Sequence, residues 1–232
     1  MIFKMDQELK ESVLKSGTTL IGIVCKDGVV MGSDRRASAG NIILSKNTQK
    51  TIQINDYLVV SGTGNASDIE MQKKIIAAEL KLKELKSKKR PSVKEAANLI
   101  AMLTYRNIRQ PTMVPSIVGT LVGGVNSNGE AEIFSVEPAG SVIKVEDYDA
   151  NFSSGMPYVL GLLERQYRKD LAIKEGVELA VEALKASTQR DTGSGNGIDV
   201  FSISKSGIKH EVQKEFTSDL QEKSGVQRTK LK

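Results

Sequence analysis

The chain has 232 residues, 39% of them hydrophobic and 26% charged, the balance of a soluble globular domain large enough to bury a core. No apolar run reaches the roughly 20 residues of a membrane-spanning helix, and the first 17 residues lack the apolar centre of a secretory signal. The lone cysteine, Cys25, excludes an internal disulfide, and a cytoplasmic location is expected.

The elements come in runs. Thr19–Cys25 and Val29–Ser33 read as strands joined by a turn at Lys26-Asp27-Gly28, where Asp-Gly is a strong hairpin signal. Short strands follow at Asn41–Ser45, Gln49–Ile54 and Tyr57–Ser61. A long helical pattern runs from about Ser67 to Lys88, with Met71, Ile75, Ala78, Leu82 and Leu85 on the face expected to be buried. Ser92 and Glu95 form a capping box for the next helix, whose stripe is Val93, Ala96, Ala97, Ile100 and Leu103. Strands return at Ile117–Gly123, Ala131–Val136 and Asp147–Phe152. Helices at Met156–Tyr167 and Ile173–Ser187 and a strand at Ile198–Ser204 complete the pattern, and a polar, poorly packed tail is expected from His210 to Lys232. Strands in runs and helices in pairs argue against alternating βαβ units and for a sheet sandwich with helix pairs outside.

The net charge of +5 is concentrated between Lys73 and Arg90. That stretch has no aromatic residue to stack a base, so a solvated helix face is the better reading than a nucleic-acid surface. Catalytic sets narrow by subtraction. Ser-His-Asp and Cys-His arrangements would both depend on His210, the one histidine. Zinc-ligand spacing and a Walker-type loop are missing, and no cofactor or metal is expected. The glycine-rich Gly193–Gly197 precedes a strand rather than opening a helix, which makes it a weak phosphate cradle. A threonine nucleophile remains. An N-terminal threonine carries its own base, the α-amine, and that amine exists only if the preceding bond is cut. Gly17 before Thr18 permits the tight backbone such a cut needs. Taken alone, Gly17-Thr18-Thr19 reads better as a plain strand start.

Several stretches together resemble the proteasome β-subunit family: Thr18–Val24 with its hairpin, Gly32-Ser33-Asp34-Arg35-Arg36-Ala37-Ser38, Lys50, Val60-Ser61-Gly62, Ser153-Ser154-Gly155, and Arg190-Asp191-Thr192-Gly193-Ser194-Gly195-Asn196-Gly197-Ile198-Asp199. The resemblance is to the archaeal type and spans Gly17 to Ser204. It implies an α+β fold, a four-layer αββα sandwich of two antiparallel sheets between helix layers. It also implies an N-terminal nucleophile hydrolase in which residues 1–17 are a propeptide cut off at Gly17–Thr18, residues 18–209 are the catalytic domain and residues 210–232 a tail. Thr18 would be the nucleophile and Lys50 the cation beside it, with Asp34 holding Lys50. The backbone N–H of Gly62 would face the oxyanion, and Ser154, Asp191 and Ser194 would support Thr18 and its amine. Ala37, Ser38 and Val60 would line a small apolar substrate pocket, suggesting cleavage after hydrophobic residues.

The implied partners are proteasome α subunits, other β subunits in seven-membered rings stacked into a barrel of four, an ATP-dependent unfoldase and unfolded protein substrates; no nucleic acid and no membrane. The spacing from Lys50 to Gly62 reads as shortened, Ser38 stands where threonine is usual, and Met156 stands where a second serine is common. An unprocessed structural β subunit is the alternative from another class. Each residue also has a plain reading: Asp34 as a turn residue paired with Arg35 or Arg36, Lys50 as a surface lysine, and Ser154 and Ser194 as loop or helix-start serines.

Overall fold

A computed structural model describes residues 17–112 and 116–215. The chain begins with a hairpin of β1 (Leu20–Cys25) and β2 (Gly28–Asp34), then a small two-stranded sheet of β3 (Ala37–Ala39) and β4 (Ile42–Ser45), then β5 (Thr51–Asn55) and β6 (Leu58–Gly64). Helices α1 (Ala66–Ser87) and α2 (Val93–Ile108) precede β7 (Val118–Val125), β8 (Ala131–Val136), β9 (Val142–Val145) and the short β10 (Tyr148–Asp149). Then come α3 (Met156–Gln166), α4 (Ile173–Thr188), β11 (Gly197–Ser204) and β12 (Gly207–Glu215). One five-stranded sheet runs β10-β1-β2-β11-β12 and the other β5-β6-β7-β8-β9, every pairing antiparallel.

Period-two alternation explains how the layers form. Along β1 and β2, Leu20, Val29 and Met31 point between the sheets, while Ile21, Ile23, Cys25 and Val30 point outward onto α3 and α4. Both faces are therefore covered, and β2 is buried along its whole length. On the other side, α1 and α2 pack on β6, β7 and β8. The fold is thus the αββα sandwich that the element order implies. Each fully buried aliphatic chain, such as Ile21 or Ile100, contributes roughly 2–3 kcal/mol. The capping box at Ser92 forms as expected, with Ser92 Oγ accepting from Glu95 N–H and Glu95 Oε2 from Ser92 N–H.

Three expectations are corrected. First, the α1 stripe is on the wrong face: Met71, Leu82 and Leu85 are exposed, and the buried residues are Gln72, Ile76 and Leu80. The buried stripe is disguised by Gln72, which donates to Thr104 Oγ1 (2.9 Å) and accepts from Thr120 Oγ1 (3.2 Å), so a polar residue sits inside at little cost. Second, the strand expected at Asp147–Phe152 shrinks to Tyr148–Asp149, and β9 before it was not anticipated. Third, the chain does not leave the fold at His210. Strand β12 runs on to Glu215, paired with β11. Residues 216–232 lie outside the described residues. As an edge strand β12 keeps one side toward solvent, hence its polar composition.

His210 stacks on Phe201 with ring centroids 4.1 Å apart, and its Nε2 lies 3.1 Å from Oδ1 of buried Asp199. The same oxygen accepts from Arg35 Nη1 at 2.7 Å. His210 thus belongs to a structural cluster, with Asp199 as the shared carboxylate. Truncation after Ile208 removes most of β12 and opens this carboxylate to water. The expected result is a thermal midpoint lower by about 5 °C, from a loss of roughly 2 kcal/mol, read by calorimetry on the full chain and the truncated one.

Candidate active site

The residues singled out from sequence come from distant segments, and the fold brings most of them to one end of the sandwich. Thr18 precedes β1, Asp34 ends β2, Lys50 precedes β5, Ser154 precedes α3, and Asp191 and Ser194 follow α4. Thr18 is buried. Its N–H donates to Ser154 Oγ (3.0 Å) and its Oγ1 donates to the carbonyl oxygen of Gly17 (2.7 Å). The same carbonyl accepts from Lys50 Nζ (3.0 Å).

Lys50 Nζ also donates to Asp34 Oδ1 at 2.7 Å, with both side chains shut away from solvent. Neither plain reading therefore survives: Lys50 is no surface lysine, and Asp34 pairs with it rather than with an arginine side chain. Arg35 turns instead to Asp199, and Arg36 gives Asp34 only its backbone N–H (2.9 Å). The backbone N–H groups of Thr19 and Gly195 complete the carboxylate's shell, at 2.9 Å and 3.0 Å. A carboxylate so fully bonded is rigid, and it fixes the ammonium in turn. Burial pulls the Lys50 pKa below its ordinary value, against the pull of Asp34 and Asp191 in the other direction.

Beside Thr18 N, a second set of polar groups converges on Asp191. Its Oδ2 accepts from Ser154 Oγ (2.7 Å) and Ser194 Oγ (2.5 Å). Ser194 Oγ also lies 2.7 Å from Thr19 Oγ1, which in turn meets Ser187 Oγ at 2.6 Å. Ser187 and Thr19 were missed in the sequence because a hydroxyl inside a helix or just before a strand carries no spacing signal. Cys25 takes no part: it is buried in the outer core, and burial pushes its thiol up to about 12.

A cavity of about 380 Å³ opens next to Thr18 and Lys50. Ala37 and Ser38 line it as expected, and Ser38 Oγ accepts from Gly17 N–H (3.2 Å). Val60 does not: it is buried in the central core. Val60 and Gly62 share one side of β6, and the cavity borders only its later part, at Gly62 and Gly64. Gly62 lines the cavity, yet its N–H is committed to Lys50 O (3.1 Å), just before the β5–β6 pairs begin, so it does not face an oxyanion. A side chain at Gly62 would collide with Ile69, whose Cγ2 would lie 2.6 Å from its Cβ. Ile52, Ile69 and Leu44 give the cavity apolar walls, and Gly64 borders it with φ of 114°.

Two charged residues, Glu70 and Lys73 on α1, also line the cavity, and neither was expected there. Most of the basic run is the solvated face anticipated, pairing Lys74 with Glu70, Lys81 with Glu84 and Lys83 with Glu95. Lys73 differs. Its Nζ donates to Lys50 O (3.1 Å), and burial pulls its pKa down to about 8. Between pH 8 and the ordinary value of 10.5 the unfolded chain holds a proton that the folded chain has lost. Stability therefore rises with pH across that window, and below it the full cost of burying the ammonium is present. Lys50 O keeps the Gly62 N–H in any case. Lys73→Met is accordingly expected to raise the thermal midpoint at pH 7 by about 2–4 °C, from roughly 1 kcal/mol, with the gain fading as pH approaches 10.5. Thermal scans at several pH values check both the sign and the fading.

Comparison with known proteins agrees with this fold. A family model described as "Proteasome subunit" matches residues 14–203. A protein named proteasome subunit beta from Nanoarchaeum equitans is 40% identical over 83% of this chain and 95% of its own length. One of the same name from Methanobrevibacter smithii is 38% identical over 93% of this chain and 98% of its own. Proteasome subunit beta 2 of Pyrococcus abyssi is 39% identical over 83% of this chain and 89% of its own.

Proposed function

The chain belongs to the proteasome subunit family, as a β subunit of archaeal type, and from that premise we propose that it is a catalytic subunit whose nucleophile is Thr18. The observation that carries this reading is the meeting of Thr18 Oγ1 and Lys50 Nζ on one carbonyl oxygen, that of Gly17. A hydroxyl and a buried ammonium brought together at the bond before a threonine is what a self-cutting threonine requires.

In the maturation step, Thr18 Oγ adds to the Gly17 carbonyl carbon and gives up its proton, which ends on the Thr18 nitrogen as that nitrogen leaves, while Lys50 Nζ supports the charge that develops on the carbonyl oxygen. Collapse breaks the Gly17–Thr18 C–N bond, leaving residues 1–17 as an ester on Thr18 Oγ and freeing the amine. Water then hydrolyses the ester and releases the leader as a carboxylate. The freed amine stays beside Ser154 Oγ, which links it to Asp191. In substrate hydrolysis that amine takes the proton of Thr18 Oγ as it attacks the scissile carbonyl, and returns it to the leaving amine. A second water resolves the acyl ester and regenerates Thr18. The relation of Asp34 to Lys50 keeps the cation in place through both reactions.

The proposal extends to the assembly. α subunits and further β subunits would form the stacked rings, and an ATP-dependent unfoldase would supply unfolded chains. Co-assembly with the organism's α subunits followed by intact-mass analysis tests the reading. A chain beginning at Thr18, together with peptide hydrolysis, supports it. A chain that keeps residues 1–17 in complete particles assigns it instead a structural place in the ring.

A further inference from the structure

The glycine-rich loop after α4 reaches back to the bond before Thr18. Gly17 and Gly193 face each other backbone to backbone. A Cβ built on Gly193 would lie 2.3 Å from Gly17 Cα and 3.2 Å from its carbonyl carbon and its nitrogen. Conversely, a Cβ on Gly17 would lie 2.0 Å from Gly193 Cα and 2.7 Å from its carbonyl carbon. Real Cβ atoms do not approach so closely. The obstruction is backbone on both sides, with no flexible side chain to give way. Gly193 is not among the glycines with positive φ, so its conformation is open to any L residue and the obstacle is purely one of space.

We propose that Gly193 is a positioning residue for leader removal: its missing side chain lets Gly17 lie where Thr18 Oγ and Lys50 Nζ meet its carbonyl. This rests on Thr18 being the nucleophile. The three atoms nearest the Gly193 Cβ position all belong to Gly17, which departs with the leader. The requirement is therefore specific to maturation. Gly17 has little freedom to evade a new methyl group. It is bonded to Thr18 N, which is held on Ser154, and its own N–H is held on Ser38. A substrate is not bonded to Thr18 N, so it can seat itself in the cavity lined by Ala37 and Ile52 without pressing on residue 193. The glycine before the cut and the glycine in the loop thus form one steric device.

The test uses the full chain co-assembled with its α subunits, with leader loss followed by intact mass over time. Gly193→Ala displaces Gly17 by about 1 Å, and the expected result is leader removal slowed about 100-fold. The same substitution is then placed in a chain made with Thr18 already exposed by a cleavable fusion. That variant should hydrolyse fluorogenic peptides within about threefold of its unsubstituted counterpart, which also shows that the loop folds. Leader removal at the normal rate in the full-length variant overturns the proposal. So does a loss of hydrolysis in the pre-exposed variant as deep as the loss of maturation, because the effect would then be general damage to the site. Leader removal by Thr18→Ala would instead overturn the threonine reading itself.

Discussion

Thr18→Ala should keep residues 1–17 attached in fully assembled particles and lower peptide hydrolysis by about 10⁴-fold or more. The expectation follows from two facts of geometry. Thr18 Oγ1 is the hydroxyl bonded to the Gly17 carbonyl oxygen, at 2.7 Å. Of the other hydroxyls named at the site, none is bonded to that carbonyl oxygen: Ser154 bonds Asp191 and the Thr18 backbone, Ser194 bonds Asp191, Thr19 meets Ser187 and Ser194, and Ser38 accepts from the Gly17 N–H. Removing Oγ therefore removes the attacking atom and leaves no neighbour to replace it. The backbone N–H of residue 18 still reaches Ser154 Oγ, so the local fold should persist. Intact mass and hydrolysis rate, measured on the same particles, give the two readouts. Normal hydrolysis by this variant would end the proposed mechanism. Leader retention with normal hydrolysis would show that the free amine is not the base.

The structure also shows why some of this was legible in the chain and some was not. The β1–β2 hairpin carried its own punctuation in Asp27-Gly28, and its alternating apolar residues serve two cores at once. Helix α2 announced itself through Ser92 and Glu95. Helix α1 misled because its apolar residues are scattered round the helix among the charged ones. Met71, Leu82 and Leu85 keep helical spacing as regular as that of Ile76 and Leu80, and the buried face includes a glutamine. No period analysis separates two such stripes, since the choice is made by Thr104 on α2 and Thr120 on β7, which satisfy Gln72.

At the site, Thr18, Asp34, Lys50, Ser154, Asp191 and Ser194 were identified in family order and meet at one end of the sandwich. Gly62 was expected to direct its N–H at an oxyanion, but strand pairing had already committed that N–H. Backbone hydrogen bonds depend on register with another strand, which a linear reading does not contain. Lys73 and Glu70 were hidden for a similar reason. They sat in a charge run whose other members are solvated, and only the seating of α1 on β6 turns them toward the cavity.

Lys50 should prove indispensable in shape as well as charge. Its Nζ makes two bonds in divergent directions, 2.7 Å to Asp34 Oδ1 and 3.0 Å to Gly17 O, inside a site that leaves the side chain 7% exposed. Lys50→Ala removes the donor from the carbonyl oxygen and leaves the Asp34 carboxylate without its charged partner. The Thr19, Arg36 and Gly195 N–H groups still bond that carboxylate, so folding should survive while leader removal and hydrolysis fall by roughly 10³-fold. Lys50→Arg retains the charge yet should fail almost as badly. A planar guanidinium is larger than an ammonium, and its donors diverge within one plane rather than around a tetrahedral point. In a pocket this closed it would either push Gly17 away from Thr18 Oγ1 or lose Asp34. Burial already pulls the Lys50 pKa below its ordinary value, so the native cation sits closer to proton exchange than an arginine ever does. Leader mass and peptide hydrolysis, compared for wild type, Lys50→Ala and Lys50→Arg at matched assembly, separate the possibilities. Most activity retained by Lys50→Arg would reduce Lys50 to a diffuse positive charge, and the close contact with the Gly17 carbonyl would then have no part in the chemistry.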